Sequence, residues 1–373
     1  MLPVDIPTLA EIRALHAVRA DACVSLYVPT TPLTQQIDAS RIELGNLAKE
    51  AAAQLDAAGF DKRRLWPLVE QLDDLAEHDE FWRMQGNSLV VFATPETIRT
   101  FRLANRLTAA VEVSDRFHLK PLLRAITFPH AAFALALSED TVRLIEVFAD
   151  LPPVEVRVAD MPKDAASHAG KASLKSRSPS GRIQGSEGKK VRLTQYARAV
   201  DAALRPVLAG LDAPLVLAST EPLTSIFRSV CSYPHLLPKA ITGNPERTSE
   251  TELAAAVRPL LDEVHAEHVR EVRALYERRA GDRRATTDLS DAARAATFGA
   301  IEALLVDIDS VVPGTIDEET GAITFADTAG ATSYGVIDEI AGRALASGAR
   351  VLGVRRDDIP GGGELAATLR YPI

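Results

Sequence analysis

Apolar positions along the chain fall into three patterned regions, each mixing strand-like alternation with helical spacing. In the first, DACVSLYVP at 21–29 is rich in strand formers and stops at Pro29, which predicts a strand. From Gln35 to about Ala58 the residues Ile37, Leu44, Leu47, Ala51 and Leu55 recur at helical spacing, and Gly59 supplies the stop. A second helix near Lys62 to Glu77 leads into GNSLVVFATPETIRTFRL, read as two strands joined by a turn around Pro95 and Glu96. VEVSDRFHLKPLL adds a short strand and a crossing.

The second region opens with AAFALALSEDTVRLIEVF, where two strand-like runs flank Ser138-Glu139-Asp140 as in a hairpin. PVEVRVADMP alternates apolar and polar residues, and then periodicity stops between roughly Pro162 and Lys190. A loop of that length inside a compact domain is either functional or disordered. Val191, Tyr196, Val200, Leu204 and Val207 then start a helix ending by Gly210, and APLVLAST returns as a buried strand.

The third region starts at a capping box: Ser249 can accept the amide of Glu252, whose carboxylate can reach back. The helix continues to about Arg279, with an interruption or kink expected at Pro259. A helix around Asp291 to Phe298, the strand AIEALLVDID, a polar connection from Pro313 to Gly330 and a helix from about Tyr334 to Ser347 follow. ARVLGVRRDD and ELAATLRY close the chain as strands on either side of IPGGG. The alternation predicts an α/β (α+β) protein whose last domain is a small α/β sandwich.

Composition changes this picture little. A chain of 373 residues suggests two or three domains, and 46% hydrophobic with 25% charged residues is ordinary for a globular protein. No apolar run approaches the roughly 20 residues that span a bilayer, and the start of the chain lacks a secretory pattern. Cys23 and Cys231 sit far apart within apolar runs, which argues against a disulfide framework and fits a cytoplasmic setting. Charge matters more. The net charge of -9 excludes a uniformly basic nucleic-acid coat. Yet Lys163, Lys171, Lys175, Arg177, Arg182, Lys189, Lys190, Arg192 and Arg198 crowd one segment, opposed only by Asp164 and Glu187. Such a segment is either a solvated surface loop or a phosphate-binding arm.

The usual enzymatic signatures are missing. His265 and His268 lie three apart on a helix face without H-E-x-x-H or a nearby cysteine. Pro360-Gly361-Gly362-Gly363 lacks the Gly-Lys-Ser/Thr ending of a phosphate loop and precedes a strand, so it reads as a tight turn. No Gly-x-Ser-x-Gly elbow occurs, neither cysteine has a local histidine, and neither a metal nor a cofactor is expected.

The succession SLYVP, QGNSLVVFATPETIRTFRL, FHLKPLL and LALSEDTVRLIEV, continued by APLVLAST, YPHLLPKAITGN, AARAATFGAIEALLV and ELAATLRY, resembles the bacterial family related to archaeal and eukaryotic peptide-release factors (the baeRF group). AATFGAIEALLV is similar to a strand entry in the third domain of release factors and Pelota, and LAATLRY is similar to the ending of that domain. The resemblance implies a three-domain release-factor-like architecture: a mixed α/β domain at 1–118, a middle α/β domain at 119–245 with a long mobile basic loop at 162–190, and a Pelota-like sandwich at 246–373.

It also gives the basic loop a meaning. In archaeal and eukaryotic release factors the middle domain carries Gly-Gly-Gln in a mobile loop before a long helix, and that glutamine promotes peptidyl-tRNA hydrolysis on the ribosome. Here SPSGRIQGSEGKKVRLTQYARAV holds the equivalent place, with Gly181, Arg182 and Gln184 as partial matches. Ile183 stands where a glycine would precede the glutamine, and a β-branched residue restricts that backbone. An amide does not titrate near neutral pH, so Gln184 would position a water or aim its backbone N–H at the developing oxyanion. Lys171, Lys175, Arg177, Arg182, Lys189, Lys190 and Arg192 are then the RNA-contacting residues, and Gly181, Gly185 and Gly188 the hinges. The junction LDAAGFDKRRL is basic but lacks the Asn-Ile-Lys-Ser stretch of stop-codon readers.

Two functions follow. One is a factor that occupies the ribosomal A site, meets the tRNA acceptor end and rescues stalled ribosomes by peptide release, with a translational GTPase as a candidate partner. The other is a rescue or hibernation factor that binds ribosomes or structured RNA without chemistry. A nucleolytic middle domain using Asp140 and Glu146 is a third, weaker expectation.

Overall fold

The computed structural model describes residues 5, 7–127, 131–148, 151–168, 186–211, 213–327 and 333–372. The chain divides into two units: residues 129–263 form one, and residues 2–128 with 264–373 form the other.

The second of these starts with α1 (Leu9–His16), whose N-terminus is closed by a capping box between Thr8 and Glu11. Then come β1 (Cys23–Pro29), α2 (Ile37–Ala57), α3 (Lys62–Glu77), the single turn α4 (Asp79–Trp82), β2 (Ser88–Ala93), β3 (Ile98–Leu103), β4 (Ala110–Ser114) and α5 (Lys120–Thr127). The four strands make an antiparallel sheet in the order β3-β2-β1-β4. Strand periodicity sends Val24, Leu26 and Val28 to one face, where Leu44, Leu47, Ala51 and Leu55 of α2 and Leu65, Leu68 and Leu72 of α3 cover them. Cys23 and Tyr27 point the other way, into a core shared with the C-terminal part of the chain.

The unit formed by residues 129–263 is built on β5 (Ala131–Leu137), β6 (Val142–Phe148), β7 (Val154–Val156), α6 (Ala165–His168), α7 (Ser186–Leu208), β8 (Leu215–Ser219), α8 (Leu223–Val230) and β9 (Leu236–Thr242). The sheet order is β7-β6-β5-β8-β9, antiparallel at β5–β6 and β6–β7, parallel at β5–β8 and β8–β9. Parallel pairing requires a long crossover, and α7 and α8 supply the two. Phe133, Leu135 and Leu137 face α7 and α8 through Leu193, Tyr196, Val200, Leu204 and Phe227. The alternate residues Ala132, Ala134 and Ala136 are small, so Leu253, Ala254, Val257 and Leu261 can pack close on that face.

Those four residues belong to α9 (Glu250–Ala280), and the division between the units falls within this helix. The helix continues through Pro259, without the interruption that proline suggested in the sequence. The remaining elements are β10 (Ala285–Thr286), α10 (Leu289–Thr297), β11 (Ile301–Asp307), β12 (Pro313–Ile316), β13 (Ile323–Phe325), β14 (Tyr334–Gly335), α11 (Val336–Ala346), β15 (Arg350–Val354) and β16 (Leu365–Leu369). One sheet runs β10-β16-β11-β15 and a small one runs β13-β12-β14. Ala303 and Leu305 face Val269 and Val272 of α9, while Ile301, Leu304 and Val306 join α10, α11 and the aromatic face of the first sheet. The fold is mixed α/β with several sheets, in line with the sequence.

Candidate nucleic-acid interface

The basic run continues into α7, whose first turns carry Lys189, Lys190 and Arg192. Leu193, Tyr196, Ala197, Val200 and Leu204 form an apolar stripe buried against the sheet. The opposite side at the start of the helix carries exposed Lys190, Val191, Gln195 and Arg198. Lys190, Thr194 and Arg198 are spaced by four and share a face, and the Thr194 hydroxyl donates to the Lys190 carbonyl at 2.8 Å. Neither Lys190 nor Arg198 has a carboxylate partner among the described residues.

The β5–β6 turn braces this end. The Ser138 hydroxyl accepts from the Asp140 and Thr141 amides at 3.1 and 3.0 Å, which fixes the turn. Glu139 then does two things. Its carbonyl accepts the Ala165 amide at 2.8 Å, holding α6, and its carboxylate pairs with Lys189 Nζ at 2.6 Å. The latter pair is partly exposed, so its worth is within about 1 kcal/mol. Asp164 caps α6 by accepting from Ser167 N–H and O–H, and these hydrogen bonds hold its carboxyl below the usual range. The His168 ring lies 6.5 Å from that of Tyr196, whose phenol is pushed up by burial.

Of the residues expected to touch RNA, Lys189, Lys190 and Arg192 stand on the first turns of α7; Lys190 is exposed, Lys189 is engaged by Glu139, and Arg192 is partly buried. Gly188, expected as a hinge, is buried within the helix. The helix starts at Ser186, before the apolar spacing becomes legible at Val191, because the residues SEGKK that open it are polar or glycine. Gln184, Lys171, Lys175, Arg177, Arg182, Gly181 and Gly185 lie outside the described residues.

A second exposed cationic surface lies at the α2–α3 junction, in the other unit. Gly59 adopts φ +83, the left-handed value that ends α2, and Asp61 accepts the Arg63 amide to open α3. Lys62 pairs with Asp56 at 3.2 Å and Arg64 with Asp21 at 2.5 Å. Trp66 on the first turns of α3 is 66% exposed, and a groove of about 690 Å³ is lined by Gly59, Phe60, Arg64 and Pro95 among others. Motif-based reasoning misses Trp66, although a signal for it exists: it falls outside the Leu65, Leu68, Leu72 stripe that faces the sheet.

Other chemistry is not assembled. Glu146 is buried on β6 and burial raises its carboxyl, while Asp140 is six residues away at the hairpin turn, about 20 Å along the strand. These two carboxylates therefore do not share a metal. No group of three or more His, Cys, Asp or Glu is placed to hold a metal ion among the described residues. Both cysteines are free, and burial pushes the Cys23 thiol up to about 12, far from a reactive thiolate. No helix among the described residues is long and apolar enough to cross a membrane.

The family comparison falls on the same unit as α7. Residues 129–267 match the model of Bacterial archaeo-eukaryotic release factor family 11. The match covers the segment that holds LALSEDTVRLIEV and APLVLAST, two of the runs that carried the resemblance in the sequence. Solved structures add looser likenesses. Ribosome-bound archaeal Pelota, described together with ABCE1, shares 13% identity over 99% of this chain and 96% of that one, at a TM-score of 0.43. The protein Dom34 of S. cerevisiae, described as a translation termination-like factor involved in RNA quality control pathways and interacting with Hbs1, shares 13% identity over 77% and 80%, at 0.42. The archaeal translation termination factor aRF1 shares 15% over 98% and 99%, at 0.24. No curated protein matches the chain.

Proposed function

We propose that the protein is a cytoplasmic translation factor that enters the ribosomal A site and directs its basic segment toward the tRNA acceptor end. The observation that carries this reading is the release-factor family match over the unit holding Gln184 and the cationic start of α7. The exposed stripe of Lys190, Thr194 and Arg198 supports it, because an acidic protein needs a local cationic face to approach RNA phosphates. In this reading residues 1–118, 119–245 and 246–373 act as three domains, and a translational GTPase is a candidate partner. Arg182, Lys171, Lys175 and Arg177 would extend the cationic face, with Gly181 and Gly185 easing its backbone, while Gly188 serves the packing of α7 instead.

The chemistry proposed is hydrolysis of peptidyl-tRNA, with Gln184 orienting water or presenting its backbone N–H to the tetrahedral intermediate. The measurement is single-turnover peptide release from stalled ribosomes by wild type and Gln184→Ala. Wild type should release peptide, and the variant should be slower by about 100-fold, the scale of losing one preorganised group. Equal release by both, or none by either, removes Gln184 from the mechanism. The second reading, a factor that binds without chemistry, is favoured by one feature, Ile183 in place of the glycine that precedes the glutamine. It predicts salt-sensitive ribosome binding with no release.

A further inference from the structure

Far in sequence from the start of α7, in the unit formed by residues 2–128 and 264–373, three guanidiniums from three segments converge on one exposed carboxylate. Glu318, at the tip of the β12–β13 hairpin, meets Arg343 Nη2 at 3.0 Å, Arg116 Nη1 at 3.3 Å and Arg19 Nε at 3.8 Å. Beneath it the buried Glu339 takes Arg343 Nε at 2.7 Å, Arg116 Nη1 at 2.9 Å, Arg19 Nη2 at 3.3 Å and His16 Nε2 at 3.3 Å. Both carboxylates help to line a cavity of about 310 Å³, together with His16, Arg19, Thr297 and Arg343.

The two carboxylates play different parts. Glu339 is 2% exposed on its side chain and is the permanent counter-ion of the cluster. Asp115 likewise takes two hydrogen bonds from Arg116, at 2.8 and 2.9 Å. Glu318 is 61% exposed and carried on a turn. The turn itself is fixed, since Asp317 accepts from the Glu319 and Thr320 amides, so only the Glu318 side chain has to rotate to vacate the cluster. With it in place three guanidiniums face three carboxylates; with it turned out, one positive charge is left over at the mouth of the cavity.

Each guanidinium is anchored, so that together they meet a ligand from several directions. Arg19 Nη1 donates to the His16 and Val18 carbonyls at 2.5 and 2.9 Å. Arg343 Nη1 donates to Thr297 Oγ1 at 2.6 Å, and the Arg116 guanidinium stacks 3.9 Å from the Tyr334 ring. A carboxylate has two oxygens for these three groups. A tetrahedral oxyanion has one for each, and arginine forks match phosphate oxygens well.

We infer that this cluster is a phosphate site in which the Glu318 side chain occupies the place of the ligand until a free phosphate or a phosphate monoester displaces it. Titration calorimetry of the full chain at constant ionic strength, with chloride as the balancing anion, tests it. The ligands are inorganic phosphate, AMP and adenosine, and the proteins are wild type, Glu318→Gln and Arg19→Gln. Wild type should bind phosphate or AMP saturably and adenosine not at all. Glu318→Gln should bind about tenfold more tightly, because the internal competitor is neutral. Arg19→Gln should weaken binding about tenfold or more while melting within a few degrees of wild type. Whichever of phosphate and AMP binds more tightly identifies the source of the phosphate. No saturable binding to Glu318→Gln, equal binding of adenosine and AMP, or binding unaffected by Arg19→Gln would each overturn the assignment.

Discussion

Asp338 and Glu339 are neighbours on α11, both buried, and their carboxyls move in opposite directions. Burial raises Asp338, and the charge of His118 and the Leu119 amide only partly oppose that. Burial also works against Glu339, but the hydrogen bond from His16, the charge of Arg116 and the bond from Arg343 outweigh it and hold the carboxyl far below its usual range. The difference is the number of cations in reach, not depth. Because Glu339 is lowered on folding, it contributes stability that is fully present above the ordinary carboxylate pKa and is lost as pH falls through and below it. Asp338 acts in the reverse sense: its penalty grows as pH rises past the ordinary carboxylate pKa and is complete above the raised one. Replacing Glu339 with Gln should therefore cost about 3–5 kcal/mol at pH 7, since it strands buried guanidiniums. Urea denaturation across pH 3–7 should show a flatter acid limb for the variant; an unchanged limb would contradict this role for Glu339. Asp338→Asn should cost less at pH 7.

At the level of elements, the capping box at Ser249 behaves as its sequence suggests. The Ser249 amide and hydroxyl donate to Glu252 at 2.8 and 2.7 Å, and the Glu252 amide returns to the Ser249 hydroxyl at 3.2 Å. Ser249→Ala should destabilise the protein by about 1 kcal/mol in urea melts, and an unchanged midpoint would show that packing alone starts α9. Turn geometry is equally specific at Gly321, which has φ +71 and whose added Cβ would lie 2.8 Å from Arg294 Cα. Gly321→Ala combines backbone strain with a backbone clash, so a loss of about 2 kcal/mol or more is expected by thermal denaturation.

Long elements with one buried face were legible in the sequence: α2, α3, α7, α10 and the β2–β3 and β5–β6 hairpins all follow their apolar spacing. What escaped was short or buried all round. The two-turn helices α1 and α8 and the strands β12, β13 and β14 offer too few residues for a period to show. The helix α11 was itself expected near Tyr334 to Ser347, but not that nearly all of it is buried, including Asp338, Glu339 and Arg343, since no single apolar stripe announces burial on several sides. The candidate interface was legible as charge, from Lys163 to Arg198. Which cations stay available depended on partners such as Glu139, which lies well before the basic run in sequence and adjacent to it in space.

For the whole molecule the proposed function raises the question of how a chain of net charge -9 would approach RNA. In that proposal the net negative charge opposes the approach, and the exposed Lys190 and Arg198 of α7, with the basic residues that precede the helix in sequence, would provide the local exception. Removal of one phosphate-binding cation should lower the slope of log affinity against log salt by about 0.7–0.9. The most direct measurement is co-sedimentation with ribosomes over a salt series, for wild type and a variant with Lys189, Lys190 and Arg192 all changed to Ala. Wild type should bind at low ionic strength with a steep slope, and the variant, folded by circular dichroism, should bind more weakly with a slope smaller by about 2. Ribosomes that ignore the wild-type protein at low salt, or a variant with the same slope, would contradict the account.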